Sequence, residues 1–457
     1  LEKADHRNGG KRRREMDMIH GSLWDKILLF ALPLALTGML QQLFNAADIA
    51  VLGRFAGKHA MAAAGSNNAF IALVVNLFVG LSLGANVLIS RYTGRGDHEG
   101  VSRAVSTAVT VALLSGLCAA GIGLLATRPI LELMQVPPAL REMAGTYLRI
   151  YFLGMPFIML YNFESAIFRS RGDTRTPLIV LASAGMVNVG LNLFFVLLFG
   201  MNVDGVAIAT VLSNVLSSGI MFLMLSRSQG PVRIRIQSLG IHGGQLKQMM
   251  RIGIPAGVQG MLFSVANMVI QSGVNSLGPD VVAGSSAAFN VEIFVYFVVN
   301  AFGQAATTFI GQNHGAGDLK RCRRVTALCM IMAVGIGEIL GILVYAGGPH
   351  LIGLFNSDPS VIRWGMIRMS FITIWEGAYA PIEALSGVMR GYGYSMVPAL
   401  VSVLGICVLR VLWVLTVFSR HRTMNVLMTA FPISFVVTSG VLILLYFVLR
   451  RRMQETA

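Results

Sequence analysis

Charge is what this 457-residue sequence lacks most. Only 12% of its residues are Asp, Glu, Lys or Arg, roughly half the share usual in a soluble domain. Its four cysteines, Cys118, Cys322, Cys329 and Cys407, lie in apolar runs or at their ends, and their spacing gives neither a disulfide framework nor a metal site. No G-x-x-x-x-G-K-[ST] occurs, so a phosphate-cradling ATPase loop is absent. "GRGDHEG" at 94–100 has its third glycine one position late for a dinucleotide loop, and no strand precedes it. It reads as a Gly-rich turn, as does "GAGD" at 315–318. The eight histidines fall at no metal-ligand spacing, and no nucleophile–base arrangement stands out. The expectation is a non-enzyme with no cofactor, driven by an ion gradient.

Apolar residues fill the space that charge leaves. They make up 55% of the chain, and the mean hydropathy is +0.69. Apolar stretches of roughly 20 residues recur from end to end, the signature of a polytopic helical membrane protein. Twelve spans are predicted, near 27–50, 66–90, 104–126, 143–165, 178–199, 205–226, 251–274, 284–310, 325–346, 364–386, 397–418 and 424–448. The 50 glycines fit membrane helices. On a soluble protein the net charge of +15 would suggest a nucleic-acid partner. Here it follows the positive-inside rule, and no nucleic acid is expected.

With twelve spans, one side holds the basic stretch Lys11–Arg14 and the loops carrying Arg91, Arg103, Arg169, Arg175, Arg233 and Arg324. The same side holds Arg390 and the tail Arg450–Arg452. The opposite side has fewer, Arg54, Arg128, Arg363, Arg368 and Arg420 among them. Both termini are therefore expected in the cytoplasm. Residues 1–15 read as flexible, with no signal-peptide pattern, and Met16 or Met18 is a candidate natural start.

The chain also repeats itself. At an offset of 221, Gly94, Gly96, Asp97 and Arg103 match Gly315, Gly317, Asp318 and Arg324. In the same register Leu133, Pro138, Arg169, Gly172 and Pro177 match Leu354, Pro359, Arg390, Gly393 and Pro398. Upstream, Pro33, Gly38 and Asn45 match Pro255, Gly260 and Asn267 at an offset of 222. Six spans per half put both halves in one orientation, a parallel repeat related by an axis along the membrane normal. The expected fold is an all-α integral membrane protein of twelve transmembrane helices in two pseudo-symmetric six-helix lobes. The boundaries read 1–22 for a flexible cytoplasmic N-terminus, 23–226 and 248–450 for the lobes, 227–247 for a cytoplasmic linker, and 451–457 for the tail.

Polar stripes run inside the spans, because residues three or four apart share a helix face. Thr37, Gln41, Asn45 and Asp48 form one, and Gly260, Ser264, Asn267 and Gln271 another. Glu292, Tyr296, Asn300 and Gln304 follow at steps of four; Asn188 and Asn192 make a pair; Glu376, Tyr379 and Glu383 share a face. Amides at such positions often only bridge helices. Carboxylates differ, since a charge at the helix centre costs about 2.5–3.5 kcal/mol on insertion scales and marks a functional or paired group. Arg410, near mid-depth, reads as a structural charge partner neutralising Glu376 or Glu383. Asp48 has no cation one turn away, since Arg54 lies six residues on and faces elsewhere. Two readings of Asp48 stand: a functional carboxylate, or one wetted at the outer interface. At the 222 offset it becomes Ile270, so the helix is duplicated and the charge is not.

The stretches "FALPLAL…FNAADIAVLGRFAG", "FRSRGDTRTP", "GVAIATVLSN", "GIPAGVQGMLFSVAN", "FIGQNHGAGDLKR" and "VMRGYGYSMVP" resemble the multidrug and toxic compound extrusion (MATE) family, in its bacterial form. The resemblance spans about residues 23–450. It implies two six-helix lobes opening alternately to each side, and antiport of cationic, amphipathic compounds against entering protons or sodium. Asp48 matches the family's first-helix carboxylate, implicated in cation coupling. Two departures stand out. The fifth-helix N-x-x-x-D pair of some members reads Asn188 and Asn192 here, and the seventh-helix glutamate of others is Phe263.

The sequence reading thus groups Asp48, Asn45, Gln41, Asn188 and Asn192 as the cation-coupling set. It takes Gln259, Asn267, Gln271, Glu292, Tyr296, Asn300, Glu376 and Glu383 as substrate-binding candidates. Protonating Asp48 removes a charge and lets its helix repack, which biases an inward–outward equilibrium. The expected partners are small cationic drugs or dyes and the lipid bilayer, for a monomer in a bacterial inner membrane. Two rivals are a lipid-linked oligosaccharide flippase of the same wider superfamily and, in a different class, a membrane-embedded lipid-modifying enzyme. The first would need a strongly cationic central cavity and the second a convergent catalytic constellation.

Overall fold

The computed structural model describes residues 16–134 and 136–455. The basic stretch Lys11–Arg14 and the proposed flexible residues 1–15 lie outside them. Among the described residues the long elements are all helices. They are α1 (Trp24–Ala56), α2 (Lys58–Arg95), α3 (His98–Glu132), α4 (Pro138–Leu153 and Met155–Ser170), α5 (Arg175–Leu198) and α6 (Val203–Ser226). The second half contributes α7 (Gly243–Asn275), α8 (Pro279–Gly315), α9 (Leu319–Ala346), α11 (Met396–Phe418) and α12 (Met424–Met453). Between α9 and α11 lies α10, built from Pro359–Ile372 and Glu376–Gly391 with a 3-10 turn, Thr373–Trp375, between them.

Ten of these helices are singly long and apolar enough to cross a membrane, and the two segments of α4, bent by 48°, together make an eleventh. The bend falls at Gly154, with Pro156 in the first turn of the second segment, where its missing N–H leaves no bond unmade. Helix α10 completes the expected twelve, but its segments have only 14 and 16 residues and carry Arg363, Arg368, Glu376, Glu383 and Arg390. Arg368 was expected on the outer side with the loop charges. Instead it is buried inside the lobe, as are Glu376 and Glu383. Several helices outrun their predicted spans. Helix α2 has 38 residues, about 57 Å at ~1.5 Å per residue, against a hydrocarbon core of about 30 Å. The apolar run marks only the part of the helix that lipid selects.

The sequence repeat is a repeat of turns. Gly96 and Gly317 adopt φ of 70° and 78°, and Gly172 and Gly393 adopt 86° and 81°. Only glycine enters that region without strain. The Asp97 carboxylate accepts from Gly100 N (2.8 Å), and Asp318 accepts from Arg321 N (2.8 Å). Each therefore caps the helix that follows. Pro138 and Pro359 both open helical segments. One further pair, Gly57 and Gly278 (φ 91° and 111°), obeys the same offset at the other end of the molecule.

Two large apolar cores correspond to the lobes, but not at the boundaries read from the sequence. Val51 and Leu52 belong to the first core, whereas Ile27, Phe30, Leu34 and Ala35 of the same helix belong to the second. Helix α1 thus starts in one lobe and ends in the other. Met18 is part of the second core as well. Its carbonyl accepts from Asn313 Nδ2 and from Arg321 Nε (3.2 Å each), so the segment before α1 is tied to the C-terminal lobe. The linker is no free tether. Val232 and Ile234 are buried in the first core, and Ser106 Oγ donates to Ser238 O (2.7 Å) and accepts from Gly240 N (3.0 Å).

The lobes meet along one end. Glycines at 80 and 84 of α2 face glycines at 253 and 257 of α7, and a Cβ on Gly80 would strike the backbone at Gly257. Two small-x-x-x-small faces thereby bring two backbones into contact. Further along, Gly94 and Gly315 press against the backbones at Gln312 and Arg91. Hydrogen bonds add to the seam, from Asn76 Nδ2 to Ser264 Oγ and from Asn86 Nδ2 to Thr308 Oγ1, each 3.0 Å. Beyond it, toward the end marked by Gly57 and Gly278, Gln41 and Asn45 of α1 and Asn267 of α7 are exposed. We call the seam end closed and the end with these exposed amides open.

Candidate functional site

Asp48 sits on α1 above the seam, where the helix turns into the N-terminal lobe. The side chain is 7% exposed. Asn192 Nδ2 of α5 donates to its Oδ1 (2.5 Å), and Thr210 Oγ1 of α6 donates to its Oδ2 (3.1 Å). Asn188 completes the cluster by donating to Thr210 Oγ1 (3.5 Å) and accepting from Asn192 Nδ2 (3.4 Å). Three helices therefore converge on one carboxylate through neutral donors. Among the described residues Asp48 makes no ion pair. A buried carboxylate offered only neutral partners carries the cost of an uncompensated charge when ionised.

The fold brings Asp48, Asn188 and Asn192 together. Gln41 and Asn45 lie on the same face of α1, seven and three residues earlier, but are exposed rather than bonded to the carboxylate. Thr210 escaped the sequence reading. Its signal was there, because Thr210, Ser213, Asn214 and Ser217 recur at helical spacing in α6. At the repeat position of Asp48, Ile270 is buried in the second core. Another missed group is Glu164 of α4, fully buried with neither carboxylate oxygen hydrogen-bonded among the described residues.

The C-terminal candidates separate into different roles. Arg368 binds Glu292 through Nη2 to Oε1 (2.5 Å) and through Nε to both oxygens (3.1 and 3.2 Å), and its Nη1 donates to Ser285 Oγ (3.0 Å). Glu292 is therefore locked in a buried ion pair. Gln259 is also tied up, since its Oε1 accepts from Arg390 Nη2 (2.7 Å). Gln271 donates to Asn275 (2.9 Å) near the open end, and Asn267 lies on the exposed side of the same helix. Glu383 accepts from Tyr379 OH (2.6 Å) and Asn300 Nδ2 (3.1 Å), with Tyr296 and Tyr379 rings 6.1 Å apart beside it. Glu376 is buried, with Oε2 unbonded among the described residues.

Arg410 is not the partner of Glu376 or Glu383. It donates from Nε to Ser434 Oγ (3.0 Å) and lies 4.0 Å over the Phe431 ring and 5.2 Å from that of Phe435. Two aromatic faces and a hydroxyl accommodate the guanidinium. The carboxylate–arginine pair in this lobe is Glu292–Arg368 instead, because α8 and α10 pack directly while Arg410 points toward α12.

This architecture has known counterparts. The MatE family model matches residues 33–194 and 255–415, one stretch in each half. The chain is 28% identical over 401 residues to the Probable multidrug resistance protein YpnP of Bacillus subtilis (strain 168), covering 86% of this chain and 88% of that protein. It is 25% identical over 387 residues to the Probable multidrug resistance protein NorM of Thermotoga maritima, covering 83% and 82% respectively. A solved structure described as the outward-facing conformation of a multidrug resistance MATE family transporter superposes with a TM-score of 0.88 at 20% identity, over 96% of this chain and 98% of that one. The fold, the duplicated match and the multi-pass helices converge, and the chain belongs to the MatE family of membrane transporters.

Proposed function

We propose that this protein is a secondary multidrug exporter of the bacterial inner membrane, antiporting cationic amphipathic compounds against protons or sodium ions entering through Asp48. The observation that carries this reading is the Asp48 carboxylate, withdrawn into the lobe and held only by neutral Asn192 and Thr210. A proton or a small cation can neutralise it without displacing a protein counter-ion. Gln41 and Asn45, on the same face of α1, are exposed.

The closed end carries Arg91, Arg169, Arg321 and Arg390, so the positive-inside rule assigns it and both termini to the cytoplasm. The cleft in this conformation then opens outward, and cation loading there precedes the switch. One chain supplies both walls of the cleft, which makes a monomer sufficient. The test is dye efflux from proteoliposomes under a pH gradient alone and a sodium gradient alone. Wild-type protein should respond to one of the two, and Asp48→Asn to neither. Efflux by Asp48→Asn at the wild-type rate would remove Asp48 from coupling.

A further inference from the structure

The polar stripe of α8 continues past the positions read from the sequence. Asn300, Gln304, Thr308 and Gln312 follow at steps of four, and the last three bond to the other lobe. Thr308 accepts from Asn86, and Gln312 Nε2 donates to Ser170 O (2.7 Å), pinning the end of α4. Between that pin and the cleft runs a continuous chain. Arg169 Nη1 of α4 donates to Gln304 Oε1 (3.0 Å). Gln304 Nε2 donates to Asn300 Oδ1 (2.8 Å), and Asn300 Nδ2 donates to Glu383 Oε2 (3.1 Å). An N-lobe cation is thus joined to a C-lobe carboxylate through two amides.

The ends of this chain dictate its direction. A guanidinium only donates and an ionised carboxylate only accepts. Asn300 must turn its NH2 to Glu383, which leaves its oxygen for Gln304, whose own oxygen is then left for Arg169. The repeat gives the contrast. Arg390, the counterpart of Arg169, also donates to a glutamine oxygen, but that of Gln259 within its own lobe. Only the Arg169 copy crosses between lobes.

We propose that Arg169–Gln304–Asn300–Glu383 is a latch that holds the closed end shut while Glu383 is ionised and releases it when a proton or cation neutralises Glu383. The inference rests on the reading that the two ends open in turn. Neutralisation removes the charge that fixes the amide order. The opposite order, in which Gln304 turns its NH2 toward the guanidinium, then costs little at Glu383 and breaks the contact with Arg169. Gln304 and Asn300 are positioning residues; they transmit the state of Glu383 and need not touch cargo. The other titratable groups around Glu383 are Tyr379 and Glu376 on its own helix, Arg390 two turns further along it, and Tyr296 of α8. Helix α9 presents Glu338, whose Oε2 accepts from Gly377 N (2.7 Å), and α12 presents the Phe435 ring, 5.0 Å from that of Tyr379. Arg410 of α11 is turned to the aromatic pair.

The experiment is thiol labelling at the closed end. Ser90→Cys, buried where α2 meets Gly311, is introduced after Cys118, Cys322, Cys329 and Cys407 are changed to Ala, and its reaction with an impermeant maleimide is timed. A charge-assisted bond is about twice as strong as a neutral one, so Glu383→Gln should raise the labelling rate about fivefold or more. Gln304→Leu should raise it similarly, and the double variant no further than Gln304→Leu alone. Gln304→Glu, an acceptor for Arg169 whatever the state of Glu383, should keep labelling slow and make it indifferent to Glu383→Gln. The latch is overturned if Glu383→Gln leaves labelling unchanged, or raises it by the same factor with and without Gln304. Labelling needs no transport, so failure of the antiport reading would appear separately, as efflux indifferent to both gradients.

Discussion

Single carboxylates in this protein have different fates because their neighbours differ. Asp48 meets neutral donors, Glu292 meets a guanidinium, and Glu383 ends an amide chain. For Asp48, Thr210→Val removes one of two bonds to the carboxylate. A hydrogen bond to a charged group contributes about 1.5–3 kcal/mol. We therefore expect the pH or sodium dependence of efflux to be displaced by roughly tenfold or more in cation concentration. Thr210→Ser should restore it, and an unchanged profile in Thr210→Val would exclude that bond from coupling. For Glu292, Arg368→Leu leaves a buried charge alone, at a cost of about 3–5 kcal/mol, whereas replacing both partners by leucine recovers most of it. Thermal unfolding in detergent distinguishes the two variants. Equal losses for single and double replacement would show that the pair is not what stabilises the lobe.

Helices here carry separate messages on separate faces. One side of α2 and α7 is small enough for backbone contact, through Gly80, Gly84, Gly253 and Gly257. The first core reaches this seam through Leu81 and Ala85 of α2 and Met249 of α7, but the crossing at Gly80 and Gly257 is itself backbone against backbone. A bulky residue at the crossing should therefore push the lobes apart without unfolding either. Gly257→Val is expected to speed closed-end labelling of Ser90→Cys while leaving the melting temperature within a few degrees of wild type. A large fall in melting temperature with no gain in labelling would mean the glycines serve lobe folding instead. The α1 helix acts differently. Its first half is fixed to the C-terminal lobe and its second half to the N-terminal one. It is the element that any rocking of the lobes must bend, and Asp48 lies on its second half.

At the scale of the whole molecule, the arrangement makes the two ends chemically unlike. Arg91, Arg169, Arg321 and Arg390 gather at the closed end, while the open end exposes Gln41, Asn45 and Asn267. In whole cells Asn45→Cys should react with an impermeant maleimide added outside, and Ser90→Cys should not. The reverse pattern would invert the assignment of sides. Adding a transported dye with no opposing gradient should shift both rates in opposite directions, since one cleft cannot be open at both ends.

The sequence by itself determined the membrane class, the twelve helices and the duplication, because each is written in local patterns. Hydrocarbon selects runs of apolar residues, and turns at Gly96, Gly172, Gly317 and Gly393 require glycine whatever surrounds them. It also singled out Asp48, since an unpaired carboxylate in an apolar run is locally anomalous. What it could not reach is any pairing across helices. Arg410 and Glu383 look equally matched along the chain, yet Arg410 turns to Phe431 and Glu383 to Asn300. Thr210 is one polar residue among several until α6 sets it 3.1 Å from Asp48. The division of α1 between two lobes and the chain from Arg169 to Glu383 depend on residues more than a hundred positions apart. Only packing decides such contacts, because a helix face fixes which residues point together but not which neighbour they meet.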